Sequence, residues 1–384
     1  MTAFLDRVGR IGLALVMAAM LGLSARPALA QSKFPQAFVV ADVPGDATAQ
    51  DAVAAREAAR AQGLQAAFQQ LLQRLTQPSD WPRLPHLDAT QITDLLVDFQ
   101  VANEHSSAVR YFANFTFRFN PRAVRDLLNR AGIPFTELAS KPVVIVPVLT
   151  AGGETRLWDD PNPWRDAWNS VPGRSGVVPW VVPVGDLADV SALDQPDASA
   201  PKPEQIQALS QHYDGGDVVT AVATESPGGQ GVKLDIAVTR YGADGPGATV
   251  TASVDGPKAD ASLFLAGVQA ASQLLESQWK EKTAPAVVST DERTIEVTVP
   301  IGSPADWSRI RSKLSAVPVV HHMDVELIAR GEVRLLLRVA ADPTTLRVAL
   351  AQQDLAMADG SPFATLTSSP QAPPAIPSPE PPPT

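Results

Sequence analysis

Two stretches of this chain keep the same order of caps, apolar faces and strands at a fixed separation of 222 residues. Asn120-Pro121, Val124-Arg125, Leu128 and Ile133 correspond to Asp342-Pro343, Leu346-Arg347, Leu350 and Leu355. A capping side chain followed by proline fixes where a helix begins, and apolar residues four apart fix the face it buries. Around the later stretch, Ile295, Val297, Val299 and Ile301 alternate as a strand, and Ser303-Pro304 opens a helix with Trp307, Ile310 and Leu314 on one side. Val319, His321, Met323, Val325 and Leu327 alternate again, Arg330-Gly331 turns, and Val333, Leu335, Leu337 and Val339 return. The helix after Asp342 and a closing strand at Leu355 and Met357 complete βαββαβ, the ferredoxin-like order. Around the earlier stretch the same order reads as a strand over 38–43, a helix over 48–76, a strand at Val97, Phe99 and Val101, a return over 109–119 and the helix after Asn120.

Between them the pattern changes. Residues 143–148 are continuously apolar, as in a strand buried on both faces. Strands are expected over 177–184, 218–223, 234–240 and 249–254, with helices over 203–213 and 259–282. The expected fold class is therefore α+β, two ferredoxin-like βαββαβ units (31–140 and 289–359) flanking a mixed α/β sandwich domain (141–288). Residues 360–384 are rich in proline and are expected to be a disordered tail.

The N-terminus points to export. Arg7 and Arg10 precede an apolar run over 11–23, and Ala28-Leu29-Ala30 reads as a cleavage site before Gln31. The run is short of the roughly 20 apolar residues a spanning helix needs, so a signal peptide over 1–30, a periplasmic mature protein and no membrane insertion are expected. There is no cysteine, which removes disulfides, thiol nucleophiles and lipid attachment through a thiol. The chain carries a net charge of −10, and taking away 1–30, with its three basic residues and one acid, leaves −12. Such a charge disfavours nucleic acid.

The stretch FANFTFRFNPRAVRDLLNRAGI (112–133), with Leu71-Leu72-Gln73-Arg74-Leu75-Thr76, Leu157-Trp158 and Asn162-Pro163-Trp164, resembles an uncharacterised family of exported bacterial proteins, domain of unknown function 2066. The resemblance would cover most of 34–358; it implies an exported protein and carries no established activity or functional residues. The middle segment is also similar to small α/β domains of periplasmic envelope-assembly proteins, such as the N-terminal domain of the Tol translocation protein, at the level of fold alone.

No catalytic set stands out: G-x-S-x-G, H-E-x-x-H and P-loop patterns are all missing. Of five histidines, His321 falls on the apolar face of its strand and is expected in the core, and His322 shares the opposite, solvated face with Asp324 and Glu326. No metal site and no cofactor are expected. The one candidate ligand site is Trp158, Asp159, Asp160, Asn162, Trp164, Arg165 and Trp168, with Trp180 nearby in sequence. Flat aromatics beside carboxylate, amide and guanidinium groups suit a glycan or a peptide. The competing expectation is that Asn162-Pro163 caps a helix whose Trp164 and Trp168 plug a seam. Taken together, the sequence leads to a noncatalytic periplasmic interaction or scaffold protein with an envelope protein partner, the alternative being ligand binding at 158–180.

Overall fold

Strand β1 (Val39–Thr48) and helix α1 (Ala52–Leu75) meet at Gly45, where a Cβ would stand 2.5 Å from the Phe115 ring and 2.7 Å from the Ala59 carbonyl. That close approach seats Ala55, Ala59, Leu64, Phe68, Leu71 and Leu75 of α1 on one face of the N-terminal sheet. A short helix α2 (Ala89–Asp94), closed by a capping box at Asp88 and Gln91, leads into β2 (Leu96–Ser106) and β3 (Arg110–Phe119). Tyr111, Ala113, Phe115, Phe117 and Phe119 all point under α1, as the alternation predicts. Helix α3 (Pro121–Arg130) starts at Asn120, whose side chain accepts from the Arg122 and Ala123 amides. The structure is a computed structural model that describes residues 34–368 apart from 172, 174–175, 214–215, 230, 243–244, 285–292 and 361–362. The expected signal peptide and the proline-rich run from 370 onward lie outside those residues. Residues 1–36 form one unit, of which 34–36 are described, and residues from Ala37 onward form a second.

The N-terminal sheet departs from the ferredoxin-like order. It has three strands, β1-β3-β2, all antiparallel, and the closing strand expected at Ile133 is reduced to one bridge between Thr76 and Phe135. Pro134 carries no amide hydrogen, so a ladder cannot be built through it.

The middle sheet is built on β4 (Val143–Ala151), buried on both faces. On one edge β4 pairs with β5 (Glu154–Arg156) and, in parallel, with β6 (Trp180–Val181), all that remains of the strand expected over 177–184. Helix α4 (Pro163–Ser170) falls between β5 and β6, and helices α5 (Leu187–Ala192) and α6 (Pro203–His212) fall between β6 and β7 (Val218–Gly228). On its other edge β4 pairs in parallel with β7, followed by β8 (Gly231–Gly242), which also carries β9 (Gly245–Pro246), and then β10 (Val250–Gly256). Val144, Val146 and Val148 face Leu193, Leu209 and Tyr213 around α5 and α6. Val143, Ile145, Val219 and Ala221 face the opposite way, into a core with α4 and the long helix α7 (Ala261–Thr283). The middle sheet is thus covered by helices on both faces. No described helix is long and apolar enough to cross a membrane.

The C-terminal unit contains β11 (Arg293–Pro300), α8 (Pro304–Ser315), β12 (Val320–Ala329), β13 (Glu332–Val339), α9 (Pro343–Ala351), β14 (Leu355–Ala358) and β15 (Ala364–Ser368), in the order β12-β13-β11-β15-β14. Here too the ferredoxin-like expectation fails. The strand beside β11 is β15, running parallel to it, and the expected closing strand β14 lies one place further out. The assignment of 360–384 to a disordered tail is corrected at its start, because Leu366 is fully buried with threonines alternating on either side. His321 is exposed, not in the core, because β12 shifts register between Val320 and His322 and again between Val325 and Leu327.

A chain ending at Asp359 should be less stable than one ending at Ser368 by about 2–5 kcal/mol, the cost of losing a buried leucine, measured by urea unfolding. A second check concerns Asp354. Burial raises its carboxyl, but the Lys141 hydrogen bond and charge, with Lys313, more than offset this and hold it below its ordinary 3.8. A lowered folded value contributes stability above the ordinary carboxylate range and loses it as pH falls through the folded value. The urea midpoint of Asp354→Asn should therefore lie below wild type at neutral pH, and the gap should close in acid below about 3.8.

Candidate functional site

The tryptophan cluster is a core element, with a polar lid. Asn162, fully buried, caps α4 by accepting from the Arg165 amide at 3.1 Å and donates to the Leu157 carbonyl at 3.2 Å. That start directs Trp164 and Trp168 inward, and both are completely buried. Their rings meet edge to face at 5.6 Å, and Trp168 meets Trp180 in the same way at 5.4 Å. Trp164 Nε1 donates to the Ala221 carbonyl at 2.8 Å; Trp168 Nε1 is buried without an acceptor. Trp158 is half-buried and donates to the Leu193 carbonyl at 2.8 Å. Arg165 donates to the Trp158 carbonyl at 3.0 Å and pairs with Asp160, which is exposed like Asp159. The stacking site expected of these residues is therefore corrected for Trp164 and Trp168, whose ring faces are already taken by the sheet and α7. Both serve as plugs.

An open groove lies instead in the N-terminal domain. Helix α1 covers β1 and β3 and leaves β2 uncovered, with Val97 and Phe99 exposed. Between α1 and β2 runs a cavity of about 400 Å³ with Phe99, Val101 and Phe115 on its apolar side. Its rim is polar: Arg56 and Arg60 lie 5.9 Å from the Tyr111 and Phe99 ring centroids, and Glu104 accepts from the Tyr111 hydroxyl at 2.8 Å. Burial, the Glu104 hydrogen bond and its charge push the Tyr111 phenol up, so it stays protonated and donates. Among the described residues β2 pairs only with β3, leaving its outer edge of amides and carbonyls open. β12 is the matching edge of the C-terminal sheet, with Val325, Leu327 and Ile328 exposed.

A third grouping went unread in the sequence. Asp186, Asp189 and His212 bring one ligand atom each to within 4.8 Å of one another on the face of the middle sheet away from α7. They are separated by up to 26 residues and match no local motif. The available signal was an acid at the N-cap, Asp186, with a second acid three residues on, where a short helix turns inward. His322 hydrogen-bonds Asp324 at 2.9 Å on an exposed strand, as the solvated-face reading has it.

Residues 45–137 match a family model described as domain of unknown function (DUF8605). The match covers the β2 groove and supports an uncharacterised domain there, under a different number from the domain of unknown function 2066 that the sequence suggested. No curated protein and no solved structure matches the chain.

Trp164→Ala should cost about 3–5 kcal/mol, as expected for emptying a packed aromatic site, read from urea unfolding. An exposed ligand platform would lose far less.

Proposed function

We propose that this is an exported, noncatalytic interaction module of the cell envelope, and that its N-terminal domain takes an extended segment of an envelope protein as an added strand on β2. The observation that carries this reading is the joint presence of an open strand edge and an apolar groove beside it. In strand addition, main-chain hydrogen bonds to the edge supply affinity, and pockets for alternate side chains supply selection. β2 offers both: its outer amides and carbonyls for the ladder, and the space between Phe99, Val101 and α1 for apolar side chains. A monomer left with such an edge exposes a template for pairing, so a partner strand is its natural cover. The noncatalytic part of the proposal rests on the sequence, which offers no nucleophile–base pattern. Export rests on the layout of residues 1–30.

The test is photo-crosslinking in the periplasm from a benzophenone residue placed at Gln100 on β2, with Arg347 on α9 as the control position. One partner should be trapped from Gln100 and not from Arg347. Phe99→Ser, checked for an unchanged melting temperature, should weaken capture about tenfold, a loss of about 1.4 kcal/mol. Equal trapping from both positions, or capture indifferent to Phe99→Ser, would remove β2 as the docking edge.

A further inference from the structure

We infer that Asp186, Asp189 and His212 form a binding site for a single divalent transition-metal ion of the zinc type. The site is assembled by the chain's own turns. Gly185, with φ +80, reverses the backbone ahead of α5, and Asp186 caps that helix by accepting from the Asp189 amide at 2.9 Å through Oδ1. The other oxygen, Oδ2, is left facing His212 Nε2 at 3.8 Å. Asp189 divides its carboxylate in the same way. Its Oδ2 accepts from the Gly185 amide and from the Tyr213 hydroxyl, both at 2.9 Å. Its Oδ1 is buried with no hydrogen-bond partner and stands 3.9 Å from His212 Nε2. Asp189 is fully buried, and a carboxylate oxygen left unpaired there carries a large desolvation cost unless something occupies the space before it.

His212 Nε2 stands 3.8 and 3.9 Å from the two oxygens, in a group whose ligand atoms all lie within 4.8 Å of one another; one ion at roughly 2.2–2.5 Å from each would bridge separations of this size. Zinc bonds to imidazole nitrogen and carboxylate oxygen are about 2.0–2.2 Å, so a small inward movement of the two half-exposed ligands, Asp186 and His212, completes the geometry. Imidazole in the set favours zinc and its neighbours over calcium or magnesium. Two carboxylates and a neutral imidazole balance a divalent charge, and among the described residues no lysine or arginine pairs with either carboxylate. The supporting groups are also present: the Tyr213 hydroxyl and the Gly185 amide hold Asp189 Oδ2 and so aim Oδ1. Three protein ligands with Asp186 and His212 at the surface leave the fourth position to water.

Tag-free mature protein, stripped with chelator, is titrated with zinc chloride by calorimetry, and with cobalt(II) by visible absorption. One equivalent of zinc should bind. His212→Ala and Asp186→Asn, both at half-exposed positions, should each weaken binding about 10–100-fold, and Tyr213→Phe, which touches no ligand atom, about tenfold. No saturable zinc uptake, uptake unchanged in both His212→Ala and Asp186→Asn, or selective uptake of calcium over zinc would each overturn the site.

Discussion

The rest of the structure depends on the burial of helix α7 between the middle sheet and its neighbours. Gly267 lets it lie against the sheet: a Cβ there would stand 2.9 Å from both Leu234 and the Trp164 ring. Near its C-terminus, Trp279 donates to the Leu138 carbonyl at 2.5 Å and the almost wholly buried Lys280 donates to the Gln73 carbonyl at 2.8 Å. Gln77 returns a bond to the Ser277 carbonyl at 3.0 Å. Burial pushes the Lys280 ammonium below its usual range, and Glu276, 3.3 Å away, works against that shift. A charge placed so deep is tolerated only where its hydrogen bonds are made, and these bonds join the end of helix α1 to α7. One apolar core then continues from α4, α7 and the middle sheet into the C-terminal sheet. The Lys141–Asp354 pair and the bond from the Lys141 amide to Gln352 add polar contacts at that second junction.

Legibility in the sequence followed the range of the interactions. Caps and helical faces are local, and Asn120, Asn162, Ser303 and Asp342 all cap where the residues said they would. The strand buried on both faces over 143–148 was readable because continuous apolar residues leave no solvent side. What failed was pairing. Nothing near Leu355 announces that β15 will take the place beside β11, since parallel register is set by partners more than sixty residues away. His321 was misplaced because bulges in β12 break the alternation from which its face was inferred. The tryptophan cluster shows the same limit in a site. Residue type and spacing fitted stacking and plugging equally well, and only the position of α4 against β7 decides between them. The Asp186–Asp189–His212 grouping was illegible for a simpler reason: its members come from two helices that meet only in the folded chain.

β2 and β12 hold the same place in their sheets, each the outer neighbour of a central strand, and each keeps apolar side chains in water. Natural proteins blunt such edges with charges, bulges and short runs. Here bulges are the device on both, near the two ends of β2, and at the start and just past the middle of β12.

Those bulges set a length. β2 keeps unbroken register with β3 only from Asp98 to Ala102, opposite Arg118 to Asn114, before the ladder slips on either side. At a rise of about 3.4 Å per residue, the straight part measures about 17 Å. A strand laid along it runs out of matching amides after about five residues, of which every second one turns toward the groove. If β2 takes an added strand as proposed, the straight run would limit recognition to two or three side chains.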